Sequence, residues 1–374
     1  MHKVLLIFGT RPEAIKLCPV IRSLSEPPTR FDVRVCVTAQ HRGMLDQVLQ
    51  AFDVRPHHDL DLMLPGQTLF QSTSRILAGL EAVLQAERPS MVIVQGDTTT
   101  TLCGALAGFY LHIAVAHVEA GLRTGDMRQP FPEEMNRVLT SRLADLHFAA
   151  TEQAAANLRR EGVMADSIHV TGNTGIDAVL FVREGLVEGR LRGREWPELD
   201  PSKKLIVVTA HRRESFGDGF ERICRALREL ADRPDVQVVY PVHPNPNVQD
   251  PVQRLLAGHP NVQLIEPLSY VPFVDLMRRA YLLVTDSGGI QEEGPSLGKP
   301  IVVLRDKTER PEAVLAGTVK LVGTDQRRIV SEVTSLLDDR NAYQAMARVH
   351  NPYGDGRASG RIGELIHSFL TAKT

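Results

Sequence analysis

The chain contains no apolar run near the roughly 20 residues that a membrane-spanning helix requires, which argues against membrane insertion. Its charges nearly cancel, with 43 Lys and Arg against 45 Asp and Glu and a formal net charge of −2. That balance argues against a nucleic-acid partner, since a protein that coats phosphate backbones carries a marked basic excess. Cysteine is scarce. Cys18, Cys36, Cys103 and Cys224 are scattered without C-x-x-C spacing, so neither a disulfide framework nor a cysteine zinc site is expected; reduced thiols in a cytoplasmic protein are. G-x-G-x-x-G and H-E-x-x-H are both missing. The first absence leaves no evident nicotinamide site, and neither cofactor nor metal is expected. Two further patterns are set aside. Gly294-Pro295-Ser296-Leu297-Gly298-Lys299-Pro300 has the wrong glycine spacing for a P-loop, and His57-His58-Asp59-Leu60-Asp61 reads as a surface loop or strand edge rather than a metal site.

What is present is a repeated alternation of short β-branched apolar runs with amphipathic stretches in a 374-residue chain, long enough for two domains. Strands are predicted at Val4–Phe8, Val33–Thr38, Met91–Gln95, Ala114–His117, His147–Ala149 and Ile168–Thr171. A second series follows at Leu205–Thr209, Val236–Pro241, Val262–Ile265, Leu282–Thr285, Ile301–Val303 and Val319–Leu321. Such β-α alternation predicts parallel sheets covered on both faces. The first run leads directly into Gly9-Thr10-Arg11-Pro12-Glu13, which reads as a first strand rather than an export signal. A domain boundary is placed near residue 172, with the Arg- and Glu-rich stretch 183–204 an exposed part of the second domain. The expected fold class is α/β, two Rossmann-like doubly wound domains facing a cleft, with ligand-binding motifs at the carboxyl ends of the strands.

The charged motifs cluster at those ends. Thr285-Asp286-Ser287-Gly288-Gly289 follows an apolar strand and opens a helix, offering backbone N–H groups and a positive dipole end to an anion. Glu293, about one turn on, is placed to reach ribose hydroxyls; together these suggest a nucleotide diphosphate ligand, the alternative being a tight turn with a solvated acidic face. Arg11 and Lys16 flank the first helix start and offer cations to phosphate, or serve as solvated cap charges. Asp97 either caps the helix after Gln95-Gly96 or acts as a cleft acid. With Glu119 and Glu133 it makes three carboxylates on one domain, a supply suited to acid–base work. Glu134 reads as a solvated helix residue. His211 and Arg212 end the first strand of the second domain, and His243 ends the next, where flanking prolines favour a structural turn.

Taken in order, Phe8-Gly9-Thr10-Arg11-Pro12-Glu13-Ala14, Thr38-Ala39-Gln40-His41-Arg42, Gly96-Asp97-Thr98-Thr99-Thr100, His117-Val118-Glu119-Ala120-Gly121-Leu122-Arg123, Thr171-Gly172-Asn173-Thr174, His211-Arg212-Arg213-Glu214, Thr285-Asp286-Ser287-Gly288-Gly289 and Thr308-Glu309-Arg310-Pro311-Glu312 resemble the bacterial non-hydrolysing UDP-N-acetylglucosamine 2-epimerases over nearly the whole chain. The resemblance implies a glycosyltransferase-B-like arrangement. Residues 1–171, completed by a C-terminal helix at about 360–374, would form one domain, and 172–359 the UDP-binding domain. It also implies a homodimer and a nucleotide-sugar substrate. Asp97, Glu119 and Glu133 would be the acid–base carboxylates, with His211 beside the leaving diphosphate. Arg11, Arg212, Ser287, Gly288, Gly289 and Arg310 would hold phosphate oxygens, Glu293 the ribose and Phe273 the uracil, and Lys16 matches an active-site position. Gln40 and His243 match an allosteric substrate site found in some members. The chain has Gly43 and Gly66 where certain members carry Gln and Arg in those segments.

Overall fold

The computed structural model describes residues 1–38, 42–64, 66–196 and 198–373. Contacts divide the chain into two compact units, Met1–Phe181 with Tyr353–Thr374, and Val182–Pro352. Among the described residues, the strands of each unit form one parallel sheet.

The first sheet is built from β1 (His2–Phe8), β2 (Phe31–Val37), β3 (His58–Asp59), β4 (Met91–Gln95), β5 (Ala114–Ala120), β6 (Leu146–Ala149) and β7 (Ile168–Val170). Their order is β3-β2-β1-β4-β5-β6-β7, and each register is parallel. The second sheet holds β8 (Lys204–Thr209), β9 (Val236–Pro241), β10 (Val262–Ile265), β11 (Leu282–Thr285), β12 (Ile301–Val303) and β13 (Val319–Leu321), ordered β10-β9-β8-β11-β12-β13. Central strands such as Val4–Phe8 and Leu282–Val284 are at most 1% exposed. Helices cover both faces, so these strands need uninterrupted apolar runs rather than alternation. The short β3 is the edge of the first sheet, where His57 Nδ1 accepts from Val35 N at 3.1 Å and His58 Nε2 meets Glu87 Oε1 at 2.7 Å.

The division between units falls later than residue 172. Phe181 stacks on Phe52 at 4.8 Å, with Arg22 4.6 Å above its ring. Asp177 accepts from Ser359 N at 2.8 Å and Ala358 N at 3.3 Å, which ties the returning chain to the first unit. The final helix, Ala358–Ala372, lies against Arg11–Ser25 and the start of β2, with Gly363 beside Leu24 and Arg30 2.7 Å from Glu364. The stretch 183–204 is not wholly exposed either: Trp196 is buried, its indole N–H donating to Asp275 Oδ2 at 3.0 Å. All four cysteines are buried free thiols, and burial pushes Cys36, Cys103 and Cys224 up to about 12. Among the described residues no helix is long and apolar enough to cross a membrane.

Two left-handed glycines separate backbone strain from crowding. A Cβ on Gly121 (φ +92°) would sit 2.2 Å from Ala154 O, whereas one on Gly162 (φ +81°) meets no atom within 4 Å. Gly162→Ala is expected to cost about 1–2 kcal/mol from backbone conformation alone. Gly121→Ala should cost at least about 1 kcal/mol more, because the backbone must shift. Urea unfolding of the two variants checks the difference; equal losses would contradict it.

Candidate functional site

In each sheet the strand order reverses once, between β1 and β4 and between β8 and β11. The crossovers leave in opposite directions there, opening a crevice beyond the carboxyl ends. Arg11, Lys16 and Asp97 follow the strands at the first reversal and His211, Arg212 and Ser287 those at the second, while Glu119 lies on the neighbouring β5 and Arg310 follows β12.

In the first unit, Thr10 caps Arg11–Ser25 in a capping box with Glu13, and Pro12 lies in the first turn. Glu13 does more than cap. Its Oε2 accepts from Gly9 N at 3.0 Å and Thr10 N at 2.8 Å, while Oε1 accepts from Thr98 Oγ1 at 2.8 Å and Thr101 Oγ1 at 3.2 Å. One buried carboxylate therefore ties the loop after β1 to the loop after β4; burial raises its pKa against those donors. Thr98, not Asp97, caps the helix Thr99–Tyr110. The Asp97 carboxylate is instead held by Arg137 Nη2 at 2.5 Å, and its backbone carbonyl accepts from Asn136 Nδ2 at 2.9 Å.

Glu119 sits on a bulge. The β5–β6 register shifts between Val118 and Ala120, and Glu119 adopts φ +63°, a left-handed conformation that a non-glycine residue adopts only when its surroundings impose it. Its carboxylate pairs with the Lys16 ammonium on Oε1 and accepts from Gln95 Nε2 on Oε2. A Cβ on Gly96 would lie 3.8 Å from Glu119 Oε2, so this carboxylate lies beside the turn carrying Asp97. Glu133 opens the helix Glu133–Leu143 and is half-buried. Glu134 departs from the expected solvated role. It is 1% exposed, accepts from Thr124 N and Gly125 N at 3.0 Å each, and pairs with Arg137 Nη1 at 3.0 Å.

In the second unit, Asp286 is fully buried and its Oδ2 accepts from His211 N at 2.6 Å and Arg212 N at 2.7 Å. The loop after β8 is thus fastened to the loop after β11. Thr209 and Thr285 hydroxyls share a 2.6 Å hydrogen bond, and Tyr240 Oη donates to Ala210 O at 2.6 Å, bracing the same junction. Ser287 precedes the helix Gly288–Glu293 without capping it through its side chain. Gly288 and Gly289 supply N–H groups from the first turn, which has no acceptors for them within the helix.

Arg310 is brought to that turn. A Cβ on Gly288 would lie 3.4 Å from the guanidinium carbon, and Glu292 Oε1 accepts from Arg310 Nε at 2.6 Å. Gln291 links the two segments, donating to Ser287 O at 3.1 Å and accepting from Thr308 Oγ1 at 2.8 Å. Glu309 is held down to about 2 by its hydrogen bonds with Arg305, and its Oε1 lies 3.8 Å from Arg212 Nη1.

His243 stacks on His211 at 5.2 Å with rings 11° apart. Burial lowers the His243 pKa first, then the neighbouring His211 charge. Glu293 ends its helix near the buried Tyr270, whose hydroxyl is raised by burial and then by the Glu293 charge. Phe273 is half-buried on Tyr270–Arg279, and Arg11 half-buried at the start of the first helix. Gln40 lies outside the described residues. The structure thus brings Lys16, Asp97 and Glu119 together in the first unit, and His211, Arg212, Ser287, Gly288 and Arg310 in the second. Sequence reading missed Gln95, Arg137, Gln291 and the anchoring roles of Glu13 and Asp286. A signal existed for Glu13 in the T-x-x-E capping box, and for Arg137 in its i,i+3 spacing from Glu134. Among the described residues no group of three or more His, Cys, Asp or Glu is arranged to hold a metal ion.

Doubly wound parallel sheets with carboxylates at one switch point and a glycine turn beside Arg310 at the other define a Rossmann-like α/β protein of the glycosyltransferase-B kind. The calicheamicin glycosyltransferase CalG4 shares this fold, with a TM-score of 0.63 at 13% identity over 99% of this chain and 98% of that one. Residues 23–367 match the family model described as UDP-N-acetylglucosamine 2-epimerase. The UDP-N-acetylglucosamine 2-epimerase of Escherichia coli (strain K12) is 58% identical over 369 residues, 97% of this chain and 98% of that protein. The crystal structure of UDP-GlcNAc 2-epimerase from Neisseria meningitidis bound to UDP-GlcNAc is similar, at 48% identity and TM-score 0.89, covering 98% of this chain and 100% of that one. The chain belongs to the UDP-N-acetylglucosamine 2-epimerase family.

Behind the Gly96–Asp97 turn, His117 is fully buried and its Nε2–H donates to Gly96 O at 2.7 Å. Burial holds its pKa down at about 3 against an ordinary 6.5. Between those values the unfolded chain binds a proton that the native imidazole refuses. Stability is then full above pH 6.5 and falls as pH drops toward 3, by up to about 1.4 kcal/mol per pH unit from this group. His117→Gln should flatten that part of the pH–stability curve measured by urea unfolding; an unchanged slope would contradict the assignment.

Proposed function

We propose that the chain catalyses the reversible C2 epimerisation of UDP-N-acetylglucosamine to UDP-N-acetylmannosamine, without a nicotinamide cofactor. The observation carrying this reading is 58% identity over 97% of the chain to an epimerase of that name; a glycine turn beside Arg310 and a carboxylate set at the two switch points support it.

The chemistry explains why both sets are needed. The C2 hydrogen is not acidic in the ground state, and C2 bears an acetamido group rather than an oxidisable hydroxyl. Breaking the C1–O bond, with the electron pair leaving on UDP, places positive charge at C1 and makes the C2 proton removable. A carboxylate of the first unit takes that proton, giving 2-acetamidoglucal and UDP. Delivery of a proton to the opposite face of C2 and return of the UDP oxygen to C1 give the epimer. Two faces call for two differently placed acid–base groups, drawn from Asp97, Glu119 and Glu133. Arg11, Arg212, Ser287, Gly288, Gly289 and Arg310 stabilise the departing diphosphate, a preorganised electrostatic contribution of several kcal/mol. His211 lies beside that diphosphate, Lys16 contributes a further cation, Glu293 binds the ribose and Phe273 the uracil. In this reading the enzyme is a cytoplasmic homodimer and supplies a precursor for cell-surface polysaccharide.

Proton NMR of UDP-N-acetylglucosamine with the purified protein in deuterated water, lacking nicotinamide, tests the proposal. UDP-N-acetylmannosamine carrying deuterium at C2 is the expected product. Free N-acetylmannosamine with UDP would indicate a hydrolysing enzyme, and unchanged, unlabelled substrate a transferase or a nucleotide-sugar sensor. In the same assay Asp97→Asn should lower kcat by at least about 10²-fold; a normal rate would remove Asp97 from the mechanism.

A further inference from the structure

The site contains one guanidinium, on Arg137, whose two terminal nitrogens are committed to two different carboxylates. Nη2 meets Asp97 Oδ2 at 2.5 Å and Nη1 meets Glu134 Oε2 at 3.0 Å. The side chains differ sharply in exposure: Glu134 is 2% exposed, Arg137 12% and Asp97 29%. Glu134 faces inward and has its other oxygen occupied by the backbone N–H groups of Thr124 and Gly125, at 3.0 Å each. That turn is itself closed by Thr124 Oγ1 donating to Gln129 O at 2.5 Å.

We infer that Arg137 is a positioning residue for the Asp97 carboxylate and that Glu134 is the buried anchor that fixes Arg137. A planar guanidinium aligns one oxygen of each carboxylate and leaves little rotational freedom. Among the described residues Arg137 is the partner of the Asp97 carboxylate, through Oδ2, so Oδ1 is available to a substrate. Asn136 on the same helix holds the Asp97 carbonyl at 2.9 Å, and His117 holds the Gly96 carbonyl at 2.7 Å. One helix therefore fixes both the backbone and the side chain of this residue. Glu119 is held differently, with Lys16 on one oxygen and Gln95 on the other. Glu134 touches neither and acts on the reaction only through Arg137 and the 124–125 turn.

The inference rests on the proposed epimerase activity, and steady-state kinetics of epimerisation test it. Arg137→Met should lower kcat by about 10²-fold, the loss expected when a reacting group is misplaced by about 1 Å, with KM held within about threefold. Arg137→Lys, which keeps the charge but loses the fork, should recover at least about tenfold of that kcat and serves as the test if the Met variant does not fold. Glu134→Gln should lower kcat alone, and should add less than about threefold in the Arg137→Met background, since the two act as a unit. A loss confined to KM, an Arg137→Met kcat within threefold of the parent, or full additivity of the two substitutions would overturn the inference while leaving an active parent enzyme. A parent protein that does not epimerise UDP-N-acetylglucosamine would overturn the functional reading and this inference with it.

Discussion

The reversal of strand order in each parallel sheet is the constraint on which the rest depends. A parallel strand can be followed by another only through a crossover, and crossovers on one side of β1 or β8 cover the opposite face from those on the other side. At the reversal no connection closes the carboxyl edge, so loops placed there are the ones free to meet a ligand. The chain puts Arg11, Lys16, Asp97, His211, Arg212 and the paired glycines after the strands at the reversals, and adds Glu119 and Glu133 from neighbouring β5 and its loop and Arg310 from the loop after β12.

Open loops would move, and reacting groups must not. The structure meets this with buried carboxylates that each fasten two segments. Glu13 joins the loops after β1 and β4, Asp286 those after β8 and β11, and Glu134 joins the 124–125 turn to Arg137. Burying a charge is costly unless donors surround it; Glu13 has four donors, Glu134 three and Asp286 two, both on Oδ2. The left-handed Glu119 belongs to the same economy: the bulge in β5 re-aims one side chain of a regular strand toward Lys16 and Gln95.

The strands other than β3 were legible in the sequence because burial on both sheet faces demands continuous β-branched runs bounded by glycine or polar turns. β3 was read only as a surface loop or strand edge, since two residues carry no periodicity. The unit boundary lay beyond the turn at Gly172, because Phe181 is drawn to Phe52, a contact between residues far apart in sequence. Among site residues, those on glycine-rich strand ends stood out. Neighbouring Asp97 and Thr98 are both good helix caps, so local propensity did not decide between them. Glu134 looked solvated because i,i+3 spacing reveals its partner but not which face of the helix is buried. The bulge at Glu119 has no sequence signature. The family resemblance supplied roles that these local signals alone did not.

The central claim is that the diphosphate leaves C1 before C2 is inverted. Substrate labelled with oxygen-18 in the C1–O–P bridge tests this directly. The account predicts that, as epimerisation proceeds, label appears in the non-bridging oxygens of the β-phosphate, because freed UDP rotates before re-adding. Inversion at C2 with the label retained wholly in the bridge would contradict it.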